Sequence, residues 1–322
     1  LWRKIEIEGK KLPGYGVATY RLHLEIDRPE SQLSLEIKSD LMSYNLWVND
    51  NFIHSSGHVS TNKDSCNYEN STSVIPVTLY PETSIIIQAS VFAHKNGGIV
   101  YPVKLGLHSR LDTQKHKRIA FEFLLIGCML LFSLISFVLA TFNRDLKELI
   151  YFGLFCFFSA IHVAVYVENS ISEFLPTLPW QFTQIIYPSS IEPVFLWLMI
   201  SIIIHLFPNE MWKSAAMLLK YYCIGYFFFI IFSPISFIYS FYWILYPPLF
   251  LSTAIFVFIV LITAVKNKRF GAKIILFSTV FAFICALHDI LDFVLYDTFI
   301  LSGLILTPLG TLVYISGFAI LI

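Results

Sequence analysis

The apolar positions fall into two regimes along the chain. Up to about Arg118 they come in short runs, many of them alternating with polar residues; from Ile119 to Ile322 they merge into long, nearly uncharged stretches. The short runs are Thr19–Ile26, Gln32–Ile37, Tyr44–Val48, Ser73–Leu79, Ser84–Phe92 and Ile99–Leu107. Turn-forming clusters separate them: Asp27-Arg-Pro-Glu, Asn49-Asp-Asn, Tyr80-Pro-Glu-Thr and Asn96-Gly-Gly. In Tyr20-Arg-Leu-His-Leu-Glu-Ile the side chains alternate, as in a strand with one face on a core and one in water. Strands at such spacing predict a β-sandwich or jelly roll over residues 1–114. The polar insertion Gly57–Ser73 is expected to be a loop at one end of the sandwich, where ligands commonly bind.

The long stretches number seven: Ile119–Phe142, Leu149–Val167, Phe182–Phe207, Met217–Ile238, Tyr242–Val265, Ile274–Tyr296 and Ile300–Ile322. Each is about 20 residues long, enough to cross a hydrocarbon core of roughly 30 Å. Backbone amides in lipid must pair within their own segment, so these are helices. The predicted fold is therefore multi-domain, an all-β ectodomain followed at residues 115–322 by an all-α seven-helix transmembrane bundle.

Composition supports the division. Only 14% of the residues are charged and 56% are hydrophobic, against about 25% charged in soluble proteins. The formal net charge of zero gives no basic footprint for nucleic acid. Cys66 is alone in the first part, and Cys128, Cys156, Cys223 and Cys285 lie in apolar segments, so neither a disulfide framework nor a CxxC pair is present. The chain opens at Leu1 without a signal-like stretch and closes at Ile322 inside an apolar segment, which reads as a fragment of a longer protein.

Charge also sets the topology. The first loop carries Arg144 and Lys147, the third Lys213 with Lys220 close by, and the fifth Lys266, Lys268, Arg269 and Lys273. The second, fourth and sixth loops, Glu168–Gln181, Tyr239–Phe241 and Asp297–Phe299, carry no Lys or Arg. The positive-inside rule places the odd loops and the C-terminal end in the cytoplasm, with the first domain outside. The run Lys115-His-Lys-Arg118 before the first segment dissents.

Candidate chemistry comes from both parts. In the first, Tyr44 and Trp47 offer stacking faces, and Asn49, Asn51, His54 and His58 offer hydrogen bonds, a combination suited to a sugar. Against this, aromatics on strands usually pack inward, so core packing is the favoured reading for Trp47, and Asn49-Asp50-Asn51 makes a hairpin turn. In the second, Glu122, His162, Glu192, His288, Asp289 and Asp292 are ionisable groups within apolar surroundings, a functional hypothesis by default. His162, Glu192, His288 and Asp292 could gather in a pocket open to the outside; His288 and Asp292 are four apart and share a helix face. A network fixing helix register outweighs a pH-sensitive signalling pocket, and both outweigh a metal centre, since no HExxH occurs. Gly303, Gly310 and Gly317 recur at heptad spacing and predict a face of close helix approach. The prolines Pro188, Pro193, Pro247, Pro248 and Pro308 can kink their helices, though prolines are ordinary in membrane helices.

Three stretches carry a resemblance: Gly14-Tyr-Gly-Val-Ala-Thr-Tyr-Arg-Leu, Tyr44-Asn-Leu-Trp-Val-Asn-Asp-Asn-Phe-Ile-His-Ser-Ser-Gly and Val91-Phe-Ala-His-Lys-Asn-Gly-Gly-Ile. With the seven segments behind them, they resemble the bacterial seven-transmembrane receptors with diverse intracellular signalling modules. The resemblance implies a periplasmic ectodomain of galactose-binding-like jelly-roll type, a cytoplasmic output module after residue 322, a homodimer and a bacterial inner-membrane location. The chain departs from the family at the tight turn, where Asn49-Asp50 stands in place of Asn-Gly.

The expected function is a receptor: the ectodomain senses a small ligand such as a carbohydrate, or a periplasmic protein partner, and the helices transmit the signal through the bilayer. No cofactor, metal or catalytic residue is expected in this stretch. One alternative is an intramembrane metal-dependent hydrolase using His162, His288 and Asp292; another is a secondary transporter with a β-domain cap, which lacks the two related repeats such proteins carry.

Overall fold

The computed structural model describes residues 6–11, 13–39, 42–69, 71–92, 98–99, 101–143, 145–166, 170–171, 191–294 and 306–321. Asn96 and Gly97 of the Asn96-Gly-Gly turn, Arg144, Pro188, the predicted sixth loop and Gly303 lie outside the described residues, as does the side chain of Asp292. The chain forms two compact units; the first runs through Ala120 and the second begins at Phe121.

In the first unit a small hairpin, β1 (Glu6–Ile7) and β2 (Lys10–Lys11), precedes two antiparallel sheets. One has the order β3-β8-β5-β6: β3 (Gly16–Glu25), β8 (Glu82–Val91), β5 (Ser43–Val48) and β6 (Asn51–Ser56). The other has the order β7-β4-β9: β7 (Ser71–Leu79), β4 (Glu30–Ser39) and β9 (Lys104–Leu107). Their inner faces share one core, to which β5 and β8 bring Tyr44, Leu46, Val48, Ile85 and Ile87 while β4 and β7 bring Leu35, Ile37, Ile75, Val77 and Leu79. The alternation that predicts the strands also decides which residues meet here. β6 was not predicted, because its Asn-Phe-Ile-His-Ser-Ser sequence is too polar to read as a strand by pattern. It forms because the preceding turn folds it back on β5. Asn49 and Asp50 at that turn have φ of 50° and 63°, the geometry of a two-residue hairpin that usually takes Asn-Gly. Asp reaches the left-handed region more easily than most residues, so the departure at Asp50 preserves the turn.

The second unit contains the greater part of α1 (His108–Phe142), then α2 (Lys147–Tyr166), α3 (Ile191–Leu206), α4 (Lys213–Phe232), α5 (Ile235–Lys266), α6 (Ala272–Val294) and α7 (Thr307–Ala319). Among the described residues five helices are long and apolar enough to cross a membrane: α1, α2, α4, α5 and α6. The predicted third and seventh segments appear as the shorter α3 and α7, with residues 182–190 and 300–305 outside the described range. Sequence neighbours from α2 to α7 pack in order, and α7 returns to α2, which closes the arrangement. The joint predicted at Tyr239–Phe241 falls instead at Ser233-Pro234, with Pro234 as the N-cap of α5. Proline disfavours helical geometry in the residue before it and suits the start of the next helix. Helix α5 then runs unbroken through Pro247 and Pro248.

Helix α1 starts at His108 rather than at Ile119, so the basic run is helical. At 1.5 Å per residue its 35 residues span about 50 Å, well beyond a roughly 30 Å hydrocarbon core. Its first turns belong to the β unit. Ser34 and Glu36 project from β4 on the side opposite the core: Ser34 Oγ lies 2.9 Å from His108 Nδ1. Glu36 accepts from Lys104 Nζ at 2.8 Å and from Arg118 at 3.1 Å, and its side chain is only 7% exposed. The dissenting Arg118 is thus charge-paired within the β unit.

Burial alone would raise the pKa of Glu36, but hydrogen bonds and charge from Lys104 and Arg118 carry it below the ordinary 4.5. Because the folded value lies below the unfolded one, this clasp stabilises fully above pH 4.5 and weakens as pH falls through the folded value. Acid titration followed by circular dichroism is expected to show β-unit stability declining below that point. Glu36→Gln should have lower stability at neutral pH and a flatter acid limb.

Candidate functional site

The outer face of the β3-β8-β5-β6 sheet carries an open groove of about 370 Å³ lined by Thr19, Trp47, Asp50, Ile86 and Gln88. Strand register builds it: Thr19 on β3 pairs with Gln88 on β8, and Trp47 on β5 pairs with Ile86 on β8. The Tyr44, Leu46 and Val48 side chains occupy the core face of β5, so the pleat sends Trp47 to the opposite face. The favoured core reading of Trp47 is therefore corrected. A bulge between Leu46 and Trp47 shifts the β5–β6 register and brings the exposed Phe52 ring edge-on to the indole, with centroids 5.7 Å apart. That contact fixes the ring while its groove side stays open.

The polar groups lining the groove are uncommitted. Among the described residues the Thr19 hydroxyl, the Gln88 amide and the Asp50 carboxylate form no side-chain hydrogen bond or ion pair. Their neighbours are spoken for: Asn49 Oδ1 accepts from the Ser84 amide at 2.8 Å, and Arg21 Nε donates to Ser84 Oγ at 3.2 Å. An aromatic face beside free donors and acceptors can hold a hydroxylated ring.

The six residues of the β unit singled out by sequence do not converge, and Asn51 is exposed at the start of β6. Tyr44 is fully buried, and burial pushes its phenol up to about 12. The His54 ring lies 5.9 Å from that of Tyr44; burial lowers its pKa although the charge of Glu69 pulls the other way. Asn49 serves the turn. His58 is exposed and bridges Asn67 through its backbone. The Gly57–Ser73 insertion is pinned rather than open: Cys66 Sγ lies 3.1 Å from Ser90 Oγ and 3.2 Å from Ser43 Oγ, and Tyr68 Oη accepts from the Phe92 amide at 2.7 Å. Of the six, Trp47 alone is among the residues lining the groove. Thr19, Asp50, Ile86 and Gln88 were missed, because their convergence depends on strand pairing across the sheet. Strand parity was the available signal: if Tyr44, Leu46 and Val48 face inward, Trp47 faces outward.

In the membrane unit the predicted polar residues pair by helix neighbourhood. Glu122 accepts from Ser170 Oγ at 2.7 Å. Glu192 on α3 accepts from Tyr242 Oη on α5 at 3.2 Å, and the His162 ring on α2 meets Phe195 edge-on at 5.4 Å. His288 Nδ1 stands 3.0 Å from Asp289 Oδ1. Asp289 holds the start of α7: its two oxygens accept from the amides of Leu306 at 2.9 Å and Thr307 at 2.7 Å. A carboxylate at a helix N-terminus satisfies free amides and complements the helix dipole. Among the described residues no three His, Cys, Asp or Glu side chains come together as a metal site requires. The described contacts of His162, Glu192 and His288 are thus to Phe195, Tyr242 and Asp289 respectively.

Residues 118–322 match the family model described as 7TM diverse intracellular signalling. No curated protein and no solved structure matches the chain.

Proposed function

The chain belongs to the 7TM diverse intracellular signalling family, and on that premise we propose that its β unit is the sensor of a transmembrane signalling receptor. The groove around Trp47 recognises a small hydroxylated ligand, a carbohydrate by its chemistry. The carrying observation is the open indole beside the uncommitted Thr19, Asp50 and Gln88 side chains. The charge pattern of the loops supports an orientation with the odd loops in the cytoplasm and the β unit on the other side; the bacterial inner membrane, with the β unit in the periplasm, is what the family resemblance implies. The Glu36–Arg118 pair supports that orientation, because it neutralises part of the basic run that argued against it.

Helix α1 is continuous from its first turns within the β unit into the membrane unit. A ligand that binds one arrangement of the β unit more tightly than another then shifts the populations of α1 states, and only that difference in affinity can carry a signal. The output is an intracellular signalling module. In a saccharide screen by thermal shift on the full chain in lipid nanodiscs, a ligand of the folded state raises the melting temperature by mass action. Trp47→Ala is expected to weaken the best saccharide by at least about tenfold, roughly 1.4 kcal/mol. Undiminished binding by that variant would remove the groove from the account.

A further inference from the structure

Resting on the reading of this groove as a saccharide site, we infer that its ligand is an amino sugar, a hydroxylated ring bearing a protonated amine. One carboxylate, Asp50, lines the groove, and none of the other four lining residues is charged. Arg21 is the cation next to the groove in register, opposite Ile86, and its Nε is engaged with Ser84. A ligand carboxylate or phosphate would therefore meet Asp50 without a lining cation to offset it, whereas an ammonium would find two complementary partners. The indole face of Trp47 attracts a cation through its ring quadrupole, and a carboxylate gives a charge-assisted hydrogen bond, stronger than a neutral one. Thr19 and Gln88 then remain for ring hydroxyls, with donor and acceptor capacity on both.

Asp50 occupies a left-handed position, φ 63°, where glycine would form the same turn without strain. The Asp side chain is thus not required by the hairpin, and the turn places it at the groove. Its lack of any partner among the described residues leaves the carboxylate available to a ligand.

The test uses the full chain in nanodiscs at neutral pH, titrated calorimetrically with glucosamine, N-acetylglucosamine and glucose. Glucosamine and N-acetylglucosamine differ in the charge of the nitrogen, and glucose lacks the nitrogen. The expected result is glucosamine binding at least tenfold tighter than either neutral sugar. Asp50→Asn, which keeps a residue tolerant of the left-handed turn, should erase that preference, so that glucosamine binds no tighter than glucose in the variant; Trp47→Ala should weaken all three. Equal or tighter binding of the neutral sugars, or an undiminished preference in Asp50→Asn, overturns the amino-sugar inference while the saccharide reading stands. Binding of none of the three overturns the inference, and the saccharide reading falls only if the wider screen is empty as well.

Discussion

Replacing Asp289 by alanine is expected to unseat helix α7 from the membrane unit. The carboxylate accepts from the amides of Leu306 and Thr307 and meets His288, and its side chain is 8% exposed. The next residue is Pro308, which has no N–H, so these two amides account for two of the donors at the start of α7. Alanine would leave both without an acceptor where water is scarce. At about 1–3 kcal/mol for each buried group left unsatisfied, the loss comes to about 2–6 kcal/mol. Asp289→Asn keeps one carbonyl oxygen and should lose less. Thermal unfolding in nanodiscs would show the order wild type, Asn, Ala. Equal stability of all three would show that Asp289 does not hold α7.

Gly310→Leu is expected to force α6 and α7 apart. A Cβ at Gly310 would stand 2.8 Å from the Cβ of Cys285 and 3.0 Å from the Cα of Ala282. The second of these is backbone, so a rotamer change cannot relieve it. Gly317 is similarly tight, with Ser278 Oγ 2.5 Å from its would-be Cβ, so the helix cannot slide to a looser register. Overpacking of a dense interior costs about 1–3 kcal/mol, and a backbone collision belongs at the upper end. Cys285, now only 4% exposed, serves as the reporter: maleimide labelling localised by mass spectrometry should rise at Cys285 in Gly310→Leu. Labelling as slow as in the native chain would mean that the helices tolerate the side chain.

These two features differ in how far the sequence discloses them. The heptad spacing of Gly310 and Gly317 is local, and it correctly announces a face of close approach on α7. The role of Asp289 is invisible locally, because its partners lie on the next helix and depend on where that helix begins. The same contrast holds in the β unit. Alternation in β3, β4 and β8 discloses the strands and most of the core, and Asn49-Asp50 discloses the turn. The start of α1 at His108 was hidden, since a polar helix held by Ser34 and Glu36 has no apolar period to announce it. Of the groove, Trp47 alone was legible. Its neighbours Thr19 and Gln88 come from strands far apart in sequence, and pairing register, not composition, brings them to one place.

The account rests on ligand recognition at Trp47, and fluorine NMR of the full chain labelled with 5-fluorotryptophan reads that residue directly. The chain has 6 tryptophans, and Trp47→Phe identifies the resonance of interest by its disappearance. Titration with the tightest saccharide of the screen should move that resonance saturably while that of Trp197, half-buried in the membrane unit beside Tyr151, stays in place. Movement of Trp197 with a stationary Trp47 would contradict the account and relocate recognition to the membrane helices.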